Sequence, residues 1–118
     1  MSLYHNERIL REIFATLTDF TASHEEVLTF MTPDYRQCVD GQGMTLNDFQ
    51  THTLALRNAL WSLSIGIQQI VCEGNKAATV HVAHATRHSG TEKLIKVVAF
   101  YYFWEGGICL VNELTHVL

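Results

Sequence analysis

His81 and Glu113 combine reactive side chains with the apolar surroundings that would tune them. Each stands in a run whose residues alternate as they do in a strand, where successive side chains point to opposite faces. Ala77, Thr79, His81, Ala83 and Ala85 then share one face. That row is small and partly polar, and it leaves room where a packed core would place bulk, with His81 projecting into the space. The same alternation puts Cys109, Val111, Glu113 and Thr115 on one face of the last strand, within reach of His81 across the sheet. A carboxylate beside an imidazole on an apolar wall makes a general base poised near neutral pH, so the pair is the candidate acid-base couple. A hydrogen-bonded structural pair answers the same pattern, because a buried polar group needs a partner whether or not it does chemistry.

Further polar residues fall where a ligand would lie. Gln37 sits mid-strand on an otherwise apolar element, where its amide could orient a substrate carbonyl or satisfy a neighbouring strand or helix end. Asp40, before Gly41, either lines a pocket mouth or forms a turn. His52, on the core face of a helix, either leans over the cavity or is a satisfied core histidine. Tyr101 and Thr115 lie on the inward rows of their strands and complete the expected ligand contacts. Seven histidines raise the question of a metal. His81 and His84 point to opposite faces of a strand, as do Glu113 and His116, and zinc needs at least three convergent ligands. Neither a metal nor a cofactor is expected.

The elements that would hold these residues can be read from periodicity. Ile9, Leu10, Ile13, Phe14 and Leu17 recur at helical spacing and predict a helix from about Asn6 to Phe20. Ser23 and Glu26 have the spacing of a capping box for a short second helix, about His24 to Met31, closed by Pro33. Tyr35 to Asp40 reads as a short strand broken at Gly41-Gln42-Gly43. Thr45 and Asp48 open a third helix to about Leu60, with Phe49, His52, Leu56, Ala59 and Leu60 on one face. Beyond Trp61, Gly74-Asn75, Ser89-Gly90 and Gly106-Gly107 divide β-rich sequence into strands of roughly 62–73, 76–88, 92–105 and 108–117. Their short turns force antiparallel neighbours. The expected fold is α+β, in the order α-α-β-α-β-β-β-β: a cone-shaped curved antiparallel sheet covered on its concave face by three N-terminal helices, since strands this long twist and coil around what packs on them.

At 118 residues and 47% apolar content the chain suits one domain with a substantial core. The longest apolar run, Val97 to Trp104, has eight residues, against the roughly twenty that a membrane-spanning helix needs. Glu7, Arg8 and Glu12 interrupt the N-terminal pattern, which is neither the basic start nor the apolar core of a secretory signal, so a cytoplasmic location is expected. A net charge of −4 with scattered Lys and Arg argues against nucleic acid. Cys38, Cys72 and Cys109 lack Cys-x-x-Cys spacing and read as buried reduced thiols.

On the third long strand Val97, Ala99, Tyr101 and Phe103 point one way and Val98, Phe100, Tyr102 and Trp104 the other. Both rows are apolar, and one helical layer covers only one of them. The uncovered row predicts a homodimer packed sheet to sheet.

Met31-Thr32-Pro33-Asp34-Tyr35, Glu73-Gly74-Asn75-Lys76 and Glu105-Gly106-Gly107-Ile108, in that order and spacing, resemble the nuclear transport factor 2-like, or SnoaL-like, superfamily from Glu7 to Val117. More narrowly, Asp34 to Gly41 and Glu113-Leu114-Thr115-His116 are similar to a bacterial branch with no established biochemical role. The resemblance implies a cone of curved sheet closed by helices around a small-molecule pocket, in a superfamily of isomerases, cyclases, epoxide hydrolases, dehydratases and members that only bind or dimerise. It implies no steroid isomerase, whose first helix carries an oxyanion-holding tyrosine where this chain offers Phe14 and Phe20, its nearest tyrosine being Tyr4 ahead of the helix. Nor does it imply an epoxide hydrolase, because no pair of strand aspartates flanks Arg87. The cyclases' last-strand carboxylate matches Glu113. The implied function is acid-base catalysis on a small apolar or carbonyl-bearing ligand, or else non-catalytic binding of a ligand or partner.

Overall fold

The computed structural model describes residues 3–23 and 25–118. Its elements are α1 (Leu3–Thr18), α2 (Glu25–Leu28), β1 (Met31–Val39), β2 (Gln42–Thr45), α3 (Leu46–Ala59), β3 (Leu60–Glu73), β4 (Lys76–Arg87), β5 (Glu92–Trp104) and β6 (Gly107–Val117). They form one six-stranded sheet in the order β2-β1-β6-β5-β4-β3, with α1 packed over β3 and α3 against β1 and β2. The α+β cone is as expected. No described helix is long and apolar enough to cross a membrane.

The apolar stripe of α1 forms the helical side of the core, where Ile9, Leu10 and Ile13 are buried. This helix already includes Tyr4, which the sequence places ahead of it. It ends at Thr18 rather than Phe20 because the Asp19 carboxylate accepts the Thr21 N–H at 3.0 Å, a local bond that competes with helix. The second helix is only four residues long, and His24, expected to open it, lies outside the described residues. Ser23 Oγ takes the Glu25 N–H at 3.3 Å instead of the bond to Glu26 that a capping box requires. Pro33 falls inside β1 and does not end a helix. It sits where the β1–β6 register slips between Met31 and Arg36, so its missing N–H breaks no ladder bond. At α3 the capping box is complete, Thr45 and Asp48 each accepting the other's backbone N–H.

Two features of the sheet depart from the sequence pattern. Gly41-Gln42-Gly43 does not end the pairing but turns it. Asp40 at φ 51° and Gly41 at φ 87° make the two-residue turn of a hairpin, and β2 pairs back on β1. The second departure is the parallel pairing of β1 with β6, while every other neighbouring pair is antiparallel. Short turns dictate the antiparallel pairs, but β1 and β6 are joined by most of the chain, and no turn constrains their direction.

A bulge also corrects the inward row of β6. Tyr102 faces Leu110 and Phe103 faces Ile108, so Cys109 is the extra residue, with its Sγ donating to the Tyr102 carbonyl at 3.4 Å. Ile108 and Val111 are both buried, and the inward row reads Ile108, Val111, Glu113. All three cysteines are free thiols, half-buried rather than enclosed.

Arg57 joins the helices. Its guanidinium donates to the carbonyls of Thr16 (3.0 Å) and Asp19 (3.2 Å) and to that of Ala22, tying α3 to the last turn of α1 and the segment that follows it. Arg57→Met is expected to lower stability by about 2 kcal/mol in urea unfolding, as loss of charge-assisted bonds does, whereas Arg8→Met on the exposed face of α1 should stay within about 0.5 kcal/mol.

Candidate functional site

Between the helices and the inner face of the sheet lies a cavity of about 250 Å³. Leu10, Ile13, Phe14 and Leu17 of α1 form its roof, and Leu63, Ile65, Ile95 and Val97 form its apolar floor. The floor stays open because β4 contributes Ala83 and Ala85 there. His52 lines the cavity from α3 but is exposed, as is Leu56 one turn on, so this side is the mouth and His52 is not a core residue.

The polar groups of the wall form two hydrogen-bonded chains. In the first, Tyr35 OH donates to Gln37 Oε1 at 2.8 Å, and Gln37 Nε2 donates to Glu113 Oε1 at 2.7 Å. In the second, Thr79 Oγ1 lies 2.8 Å from Tyr101 OH and 2.9 Å from His81 Nδ1. The His81 ring packs against Phe14, with centroids 4.9 Å apart. All but Glu113, which is half-buried, are buried.

His81 and Glu113 both line the cavity, but they belong to different chains and make no hydrogen bond to each other. Strand register is the reason. His81 pairs with Val97, which pairs with Thr115, whereas Glu113 pairs with Ala99, which pairs with Thr79. The expected couple is therefore one row out of step and separated by β5. Gln37, expected to position a substrate, spends its carbonyl and one amide proton on Tyr35 and Glu113, so it positions the carboxylate. Asp40 and Thr115 bind each other outside the cavity. The Asp40 carboxylate accepts the Thr115 N–H at 2.8 Å and the Thr115 hydroxyl, tying the β1–β2 turn to β6. Tyr101 lines the cavity.

Burial dominates the electrostatics. It pushes the Glu113 carboxyl above its usual range, against the opposing Gln37 bond and with a smaller push from Asp40. Burial also drives His81 down to about 4, so its imidazole is neutral at neutral pH. The Tyr35 and Tyr101 hydroxyls are raised, first by burial, and the nearby Glu113 charge adds to both. The site thus presents one carboxylate, one neutral imidazole and two protonated phenols to an apolar space. Tyr35 and Thr79 are members that sequence reasoning did not single out. Their signal was parity, since Tyr35 shares a face with Gln37, and Thr79 shares one with His81.

No protein-family model matches the chain. It is 55% identical over 113 residues to Uncharacterized protein C11D3.04c of Schizosaccharomyces pombe, covering 96% of this chain and 87% of that one. Among solved structures, AclR of Streptomyces galilaeus, a candidate hydroxylase, superposes with a TM-score of 0.86 at 14% identity, covering 98% of this chain and 91% of that one. A candidate SnoaL-like polyketide cyclase of Jannaschia sp. CCS1 superposes with a TM-score of 0.78 at 13% identity, covering 94% of this chain and 85% of that one. The fold is that of SnoaL-like, nuclear transport factor 2-like domains. The expected bacterial branch finds no support in the 55% identical relative, which is from a yeast.

The depressed His81 makes folding pH-dependent. The unfolded imidazole takes a proton near 6.5 and the folded one near 4, so this contribution is present in full above 6.5 and is lost as pH falls to about 4. Glu113 has the opposite sign, its raised folded value favouring the fold toward acid. His81→Gln is expected to remove roughly 2 kcal/mol of acid-induced loss from urea-unfolding stability between pH 6.5 and 4, while Glu113→Gln should steepen that loss.

Proposed function

We propose that this chain, which belongs to the family of the fission-yeast protein C11D3.04c, binds a small apolar carbonyl compound in its cone and moves a proton on it, with Glu113 as the base. The observation that carries this reading is a carboxylate on the wall of an apolar cavity, raised by burial and held, among the described residues, by one side-chain donor, Gln37. A raised carboxylate is a stronger base once ionised, and the apolar walls keep water from competing for its charge. Gln37, backed by Tyr35, aims the carboxylate without neutralising it. A substrate carbonyl beside Tyr101 would meet a protonated phenol able to donate to the developing enolate oxygen. This chemistry suits isomerisation, cyclisation or dehydration, each of which begins with loss of a proton next to a carbonyl.

Deuterium uptake at the α-carbon of a panel of cyclic ketones and enones in D₂O, followed by NMR, tests the assignment. Wild-type protein is expected to accelerate uptake, with a rate that rises with pH through the raised Glu113 pKa because the ionised form is the base. Glu113→Gln should slow uptake by about 100-fold or more. Ketones that bind and raise the melting temperature but exchange no faster than in buffer would instead identify a non-catalytic binding module.

We also propose a homodimer packed through the outer face of the sheet. Val98 and Phe100 are each 50% exposed, and Trp104 is 63% and Leu114 66% exposed. With the half-buried Tyr102 and with Leu110 they line or flank a shallow groove across β5 and β6. An apolar face on this scale is larger than monomers usually leave in water, and a twofold pairing would cover it with itself. Sedimentation velocity is expected to show a dimer for wild type and a folded monomer for Phe100→Glu. A wild-type monomer at tens of micromolar would defeat this proposal.

A further inference from the structure

Glu113 as base and Tyr101 as donor leave Thr79 and His81, the rest of the second polar chain of the wall, without a role. Tyr101 OH, Thr79 Oγ1 and His81 Nδ1 follow one another at 2.8 and 2.9 Å. All three side chains are buried, and the two ends, Tyr101 and His81, line the cavity. Among the described residues no protein group bonds His81 Nε2. A threonine hydroxyl holds one proton, and a neutral imidazole holds one, so the chain has two polarities. In one, Tyr101 donates to Thr79, Thr79 donates to Nδ1, and Nε2 carries the imidazole proton. In the other, Nδ1–H donates to Thr79, Thr79 donates to the Tyr101 oxygen, and the phenolic proton is released toward the cavity. Nε2 then presents a lone pair. Because burial holds His81 near 4, both arrangements are uncharged at neutral pH.

The two ends are therefore locked in opposite senses. When Tyr101 gives a proton to a ligand, His81 must accept one, and when His81 gives, Tyr101 can only accept. We propose that Tyr101, Thr79 and His81 read the ligand at two points and select hydroxy-carbonyl compounds, which place an acceptor at one end of the chain and a donor at the other. The proposal rests on the pocket reading above and narrows its ligand class. A ligand with two carbonyls leaves one of them facing a lone pair, whichever polarity the chain adopts. A hydroxyl can give or accept, so a diol is permitted and serves as a control.

Three rings of one size separate these cases: 4-hydroxycyclohexanone, 1,4-cyclohexanedione and 1,4-cyclohexanediol. Their binding to the full chain can be titrated through the methyl resonances of Leu10 and Ile13, and the His81 tautomer read from its ¹⁵N shifts. The hydroxyketone and the diol are expected to bind about tenfold or more tightly than the dione, the scale of leaving a buried acceptor unpaired. Thr79→Val, close in shape but unable to relay, should reduce that preference to below about twofold, whereas Thr79→Ser should keep it. Equal binding of hydroxyketone and dione by wild type, or a preference that survives in a folded Thr79→Val protein, would overturn the inference and leave the pocket standing. No methyl response to any of the three rings would remove the pocket reading and this inference with it.

Discussion

Parallel pairing between the last strand and the first is the contact on which the site depends. Because β6 inserts between β1 and β5, Gln37 comes level with Val111 and Val39 with Glu113, residues far apart in the chain. A parallel ladder keeps inward residues of the two strands on the same face, so the Gln37 amide reaches the Glu113 carboxylate at 2.7 Å. The Asp40–Thr115 bonds lock the same junction from outside the cavity. Without this pairing Glu113 would have no donor on the wall, and burying its charge would carry the full cost of desolvation.

Given that junction, the cavity follows from side-chain size. Helix α1 brings Leu10, Ile13 and Phe14 over a floor where β4 supplies alanines, and the apolar volume between them is left unfilled. Apart from His52 and Thr53 of α3, the polar side chains of the wall are drawn into these two chains, and among the described residues no fully enclosed side-chain polar atom lacks a partner. The two chains differ in kind. Glu113–Gln37–Tyr35 ends in a charge whose stability depends on its donor, while Tyr101–Thr79–His81 is neutral and can reverse its direction. One wall thus offers an ionisable base and an uncharged recognition element.

The two faces of β5 divide the labour of the sheet. Val97, Ala99, Tyr101 and Phe103 are buried under the helices, and Val98, Phe100 and Trp104 are left at the surface by a fold with a single helical layer. The sheet's curvature serves the inner face, enclosing the cavity, and leaves the outer one broad and apolar.

Periodicity within each segment determined the helices and strands, because an amphipathic stripe or an alternating row is a property of neighbouring residues. Parity placed His81, Tyr101, Val111 and Glu113 on the inner face before any contact was known, and the small residues of β4 announced the space before it. What escaped were features set by pairing between distant segments. The positive φ of Asp40 made a hairpin where glycines looked like a stop. The bulge at Cys109 reset the inward row of β6, and the parallel β1–β6 ladder was invisible to turn lengths. Register, finally, separated His81 from Glu113. A one-row offset between strands costs little in local sequence terms but moves a side chain by several ångströms, so which inward residues touch was decided only when the sheet closed.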